Sequence, residues 1–154
     1  MLTRFIIALV LGAILGIERE IVKKKEAGVR TQMLVAGGAA IFTMIGLVLP
    51  YLVSAGTGNL ADVVARNSGF LAVIANIVVG IGFLGAGLII KTNDHAHGIT
   101  TAALVWMTAA IGILAGVGMI TFATVATIIV ALTLYFLRKL NISERLESEE
   151  RPQA

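Results

Sequence analysis

Few residues in this chain have the type and spacing to do chemistry. Asp94-His95-Ala96-His97 sets a carboxylate beside two imidazoles, a donor set that transition metals accept. A polar loop yields such a string without any metal. No second ligand cluster follows, so no metal site is assigned, and Asp94, His95 and His97 stand only as the weaker metal candidates. Gly80-Ile81-Gly82-Phe83-Leu84-Gly85 matches G-x-G-x-x-G, which binds dinucleotides when a strand precedes it and an acidic residue follows about 20 positions on. Here it lies inside a long apolar run with no acid near Val105, and the nucleotide reading is rejected. The remaining charges sit where apolar stretches end. Glu18, Arg19, Arg30, Thr31 and Asp94 form a candidate polar cluster at one interface. Glu18 and Arg30 bracket a short segment, and a charge-assisted pair is expected to close it. There is no cysteine, no nucleophile with a neighbouring base and no His-Glu constellation within an apolar run, so neither an enzyme nor a cofactor is expected.

The elements that must position these residues are membrane spans. The chain has 154 residues, 58% hydrophobic and 14% charged, against about 25% charged in soluble domains. A bilayer core needs about 20 apolar residues per helix. Charges and glycines delimit five such stretches: Phe5 to Ile17 (extended by Leu2 and Thr3), Met33 to Val53 with a break near Pro50, Gly69 to Ile90, Ile99 to Ala115, and Met119 to Leu137. The run from Ile99 to Leu137 is too long for one span at about 1.5 Å per residue, and Gly116-Val117-Gly118 is its natural hinge. The first stretch also fits a signal peptide, but Glu18-Arg19-Glu20 follows it in place of a small-residue cleavage site. Ser54 to Ser68 reads as a polar connection. The expected fold is therefore an all-α, polytopic integral membrane bundle of about five transmembrane helices. Its spanning domain occupies residues 1–140, and 141–154 form a short charged tail.

Of the 12 Lys and Arg, all but Arg4 and Arg66 fall on one side of such a bundle. Basic residues in short loops stay cytoplasmic, so the N-terminus is expected outside and the C-terminus inside. The net charge of +3 sits beside spans without interleaved aromatics, which points to a bilayer with anionic lipids and away from nucleic acid. A membrane-protein partner and a homo-oligomer both remain open. Small residues at Ala8/Gly12, Gly12/Gly16 and Gly112/Gly116 are expected to bring helices close together. Gly80, Gly82, Gly85 and Gly87 are expected either to do the same or to break their helix. Asn76, the most polar side chain deep in a span, is expected to hydrogen-bond between helices.

Four ordered motifs then carry a likeness. Gly16-Ile17-Glu18-Arg19-Glu20, Ala27-Gly28-Val29-Arg30-Thr31, Gly80 to Gly87, and Gly98-Ile99-Thr100-Thr101-Ala102-Ala103 with Trp106 and Ala109-Ala110-Ile111-Gly112 together resemble the MgtC/SapB family of bacterial inner-membrane proteins. The likeness implies a multi-pass plasma-membrane protein from a family associated with growth under magnesium limitation and survival inside host cells. It leads us to expect a non-enzymatic regulatory or interaction protein, with a small transporter or channel subunit for Mg²⁺ or another ion as the alternative. Members of the MgtC type carry a soluble C-terminal domain; this chain is expected to be the membrane module alone. Many members also place Asp-Pro and Arg before the glycine-rich span, where this chain has Arg66 as its last charge.

Overall fold

The computed structural model describes residues 1–21, 27–57, 61, 69–92 and 95–139. Within them the apolar stretches form five helices: α1 (Leu2–Ile21), α2 (Val29–Thr57), α3 (Gly69–Leu88), α4 (Ile99–Val117) and α5 (Ile120–Lys139). Between α3 and α4 a short antiparallel ribbon, β1 (Ile90–Thr92) and β2 (His95–His97), replaces the loop expected there. The proposed 141–154 tail lies outside the described residues.

Helices α2 to α5 are each long and apolar enough to cross a bilayer. The flanking charges of α1 shorten its apolar run, yet it covers the same height. Gly16 touches Val29 at the start of α2, while Arg4 reaches the far end of α4. Contacts between residues fix the directions. Gly12 meets Gln32 and Ala36 while Gly16 meets Val29, so α1 and α2 are antiparallel. Gly112 meets Ala36 while Gly116 meets Ala40, so α2 and α4 are parallel. These three helices form the centre. Leu11, Leu15, Leu104 and Ile111 pack there with Ala123 of α5, and Ala27, Val35 and Ala39 pack with Val105 and Ala109. By contrast α5 buries only Ala123 and Thr127, and Gly85 is the one buried residue among the described side chains of α3.

Pro50 does not end α2, as the sequence suggested it would; the helix continues to Thr57. The ring removes one backbone bond, but a helix in apolar surroundings keeps its remaining bonds because it has no water to exchange them for. The hinge at Gly116-Val117-Gly118 does form. Gly118 has φ 104, its N–H donates to the carbonyls of Ala115 and Leu114, and the Met119 N–H donates to Leu114 at 2.9 Å. This left-handed closure favours glycine. Arg4 completes it, donating from Nη1 to the carbonyls of Gly116 and Val117, each at 3.2 Å. Those carbonyls lack partners within their own helix, and a cation there complements the helix dipole. Arg4→Met is therefore expected to cost about 1–3 kcal/mol, read as a lower melting temperature in detergent, and Arg4→Lys is expected to restore part of the loss. An unchanged melting temperature in Arg4→Met would show that the cap contributes nothing. At the opposite end of the bundle Arg138 lies 5.6 Å from the Tyr135 ring centre, an aromatic and cationic pairing suited to the membrane interface.

Candidate functional site

The first two motifs become the two sides of one corner where α1 ends and α2 begins. Gly16 has no room for a side chain because Val29 lies against it. Glu20 folds over Gly28, with a carboxylate oxygen 3.3 Å from where a Cβ would stand. Gly28 in turn accepts the first helical bond of α2, from the Gln32 N–H at 3.1 Å, so the carboxylate faces the positive end of a helix dipole. Gln32 then reaches back from inside, donating from Nε2 to the Ala27 carbonyl at 3.4 Å.

Arg19 is the unusual member of this corner. It continues the buried stripe Ala8, Leu11, Gly12, Leu15, Gly16 and is only 5% exposed. Its Nε lies 3.0 Å from Glu18 Oε2, but the N–H is out of line with that oxygen, and neither atom has a hydrogen-bond partner. The contact is a Coulombic pair between neighbours on one helix. It replaces the expected Glu18–Arg30 pair, since Arg30 is exposed on the first turn of α2 and Thr31 is half-buried beside it. A buried guanidinium takes the closest carboxylate, and that is the adjacent residue.

Three further buried polar groups belong to this half of the bundle. The oxygens Gln32 Oε1, Thr101 Oγ1 and Thr108 Oγ1 are buried without partners. Gln32 lies one turn before Ala36 and Thr108 one turn before Gly112, and Ala36 and Gly112 touch, so the two residues share one level of the α2–α4 seam. Thr101 lies one turn before Leu104, which packs with Leu15, four residues before Arg19. The result is a buried polar layer about two helical turns deep, since Thr101 and Thr108 are seven residues apart on α4, with one ion pair and several spare acceptors. Sequence reasoning missed Gln32, Thr101 and Thr108. The available signal was their spacing, since Gln32, Ala36, Ala39 and Thr43 follow helical period along a stripe of small residues that is buried throughout.

The other candidates lie apart from this layer. His95 and His97 are exposed on β2, two residues apart and hence on one face of the strand. Asp94 lies outside the described residues, and among the described residues no three His, Cys, Asp or Glu come together. The glycine-rich α3 is unbroken from Gly69 to Leu88, so the expected helix break is absent. Gly85 meets Ala102 at an ordinary 3.7 Å, while Gly80, Gly82 and Gly87 face open space. Gly82 and Gly87 therefore make no close contact within the described chain, and Gly80 lines a groove towards α2 without touching it. Asn76 is exposed and lines the same groove between α2 and α3. By contrast the small-residue pairs Gly12/Gly16 and Gly112/Gly116 do bring backbones together, with Gly12 and Gly112 both lying against α2 backbone.

Five helices among the described residues, four of them long and apolar enough to cross a bilayer, sealed by glycine contacts and carrying a polar corner at one end, define a multi-pass membrane protein. The model of the MgtC family matches residues 5–142, and the chain belongs to that family. It is 39% identical over 133 residues to Protein MgtC of Brucella abortus (strain 2308), covering 86% of this chain and 49% of the relative. It is 38% identical over 132 residues to Protein MgtC of Salmonella typhimurium (strain LT2), covering 86% and 50%. It is also 35% identical over 133 residues to an uncharacterized protein of Haemophilus influenzae (strain Rd), covering 86% and 53%. The chain thus spans about half the length of the curated relatives it matches. No solved structure matches it significantly. Its place is the bacterial inner membrane, which it crosses several times.

Proposed function

We propose that this chain acts by contact within the plasma membrane, as a non-enzymatic regulatory or interaction protein linked to adaptation to low magnesium. Its N-terminus would face outside, and its Arg19 corner and C-terminus the cytoplasm, as the basic residues at that end favour. The observation that carries this reading is the closed centre. Gly12, Gly112 and Gly116 bring α1 and α4 onto the backbone of α2, which leaves no passage along the axis where these helices meet. Proton relays and ion pathways usually carry ionisable groups inside the membrane, whereas the one buried charge here, among the described residues, is Arg19. The exposed outer faces of α3 and α5 are available to a membrane-protein partner or to a second copy.

The alternative, a small transporter or channel subunit, draws support from the unpartnered acceptors of Gln32, Thr101 and Thr108, which are suited to transient ligation. One experiment separates the two readings. Purified chain in proteoliposomes is expected to give no Mg²⁺, K⁺ or H⁺ flux above protein-free vesicles, while the same chain restores growth of its deletion strain at limiting Mg²⁺. Flux that disappears in Gln32→Leu or Thr108→Val would establish transport instead.

A further inference from the structure

The groove between α2 and α3 opens at the end of the bundle that carries its basic residues. Its volume is about 640 Å³ and its walls are almost wholly apolar. It begins at Thr31 on α2 and reaches Phe42, about 16 Å further along at 1.5 Å per residue, where Val73 of α3 faces it. That length is about half of a 30 Å hydrocarbon core, the depth of one leaflet. The groove closes just beyond, because a Cβ at Gly46 would lie 2.9 Å from the Val73 side chain. The two helices therefore meet about 22 Å from Thr31 at 1.5 Å per residue, one turn from the start of α3, and part towards the Arg30 end. Gly38 and Gly80, on opposite walls, keep the channel open, since nothing lies within 4 Å of either where a side chain would stand.

The mouth is cationic. Arg30, next to Thr31, is exposed, and so is Lys91 on β1, just past the end of α3. The described carboxylates at this end are turned elsewhere, Glu18 to Arg19 and Glu20 to Gly28. A slot about 16 Å long at 1.5 Å per residue, apolar inside, closed at its far end and positive at its mouth matches the shape and charge of one class of molecule.

We infer that this groove is a specific site for an anionic phospholipid, with an acyl chain between α2 and α3 and its phosphate at Arg30, Thr31 and Lys91. The site depends on the chain being embedded in a membrane and is independent of the regulatory reading. A helix of a second copy is the competing occupant, and Asn76, near the closed end, is the residue such a helix would use.

Native mass spectrometry of delipidated full chain in detergent, titrated separately with phosphatidylglycerol and phosphatidylcholine, tests this. We expect one phosphatidylglycerol to be retained at least tenfold more tightly than phosphatidylcholine. Gly38→Leu and Gly80→Leu, which fill open space, should each weaken it at least fivefold, whereas Gly82→Leu, away from the groove, should not. Arg30→Gln combined with Lys91→Gln should abolish the preference while leaving weak binding of either lipid. Equal retention of both lipids by the unaltered chain, or full retention by Gly38→Leu and Gly80→Leu, would overturn the proposal. So would a lipid-free dimer that Asn76→Leu dissociates, since the groove would then hold a helix.

Discussion

Gly112→Leu is expected to yield no folded bundle, and even Gly112→Ala should lose a large part of its stability. A Cβ at Gly112 would fall on the backbone of Ala36, and one at Gly116 would lie 2.8 Å from the Ala40 carbonyl oxygen and 2.9 Å from Thr43 Cβ. Backbone cannot rotate aside as a flexible side chain can. The extra carbon must therefore push α2 and α4 apart along the whole seam, loosening the packing of Val35 and Ala39 with Val105 and Ala109. Overpacking typically costs about 1–3 kcal/mol and more where nothing can yield, so Gly112→Ala is placed at or above the upper end of that range. Gly82→Leu faces open space and should stay within about 0.5 kcal/mol of the parent, as surface changes do. Size-exclusion profiles and melting temperatures in one detergent compare the variants. Equal behaviour of Gly112→Leu and Gly82→Leu would mean that the α2–α4 seam is not the centre of the fold.

The second large effect concerns Glu18 and Arg19, whose side chains are 14% and 6% exposed. Removing one member of a buried pair leaves the other charge uncompensated and costs about 3–5 kcal/mol, whereas replacing both with neutral groups is often harmless. Arg19→Met alone strands the Glu18 carboxylate, and Glu18→Gln alone strands the more deeply buried guanidinium, so the latter is expected to be the worse. The double variant Glu18→Gln with Arg19→Met should be more stable than either single change. Arg30 is exposed, and Arg30→Gln should shift stability by less than about 1 kcal/mol. If Arg30→Gln is as damaging as Arg19→Met, the pairing runs across the corner and the observed Glu18–Arg19 contact is incidental.

Five helices, the hinge at Gly116 to Gly118 and the close pairs around Gly12 and Gly112 were all legible from the sequence, because each follows from length or period. A run free of charges cannot exceed the thickness of the bilayer, and small residues four apart line one face of a helix. The errors concern direction around the helix axis, which composition does not carry. Four glycines between Gly80 and Gly87 look like a packing surface, but most of them touch nothing within the described chain, so their number says nothing about what they meet. Arg30 looks like the partner of Glu18 by its place in the chain, yet Arg19 shares the spacing of Leu11 and Leu15 and is carried into the core with them. Gln32 was hidden for the same reason, as a polar residue on a stripe that is otherwise small and apolar. Arg4 looked like an ordinary flanking charge. Its role required knowing that the start of α1 lies beside the end of α4.

The proposed function places a bundle of five spans in the membrane with its Arg19 corner in the cytoplasm. Reporter fusions that are active on one side only test this directly. Fusions near Lys24 and Glu147 should report the cytoplasm, and fusions near Asn59 should report the outside. Both termini on the same side, or Lys24 outside, would contradict the arrangement.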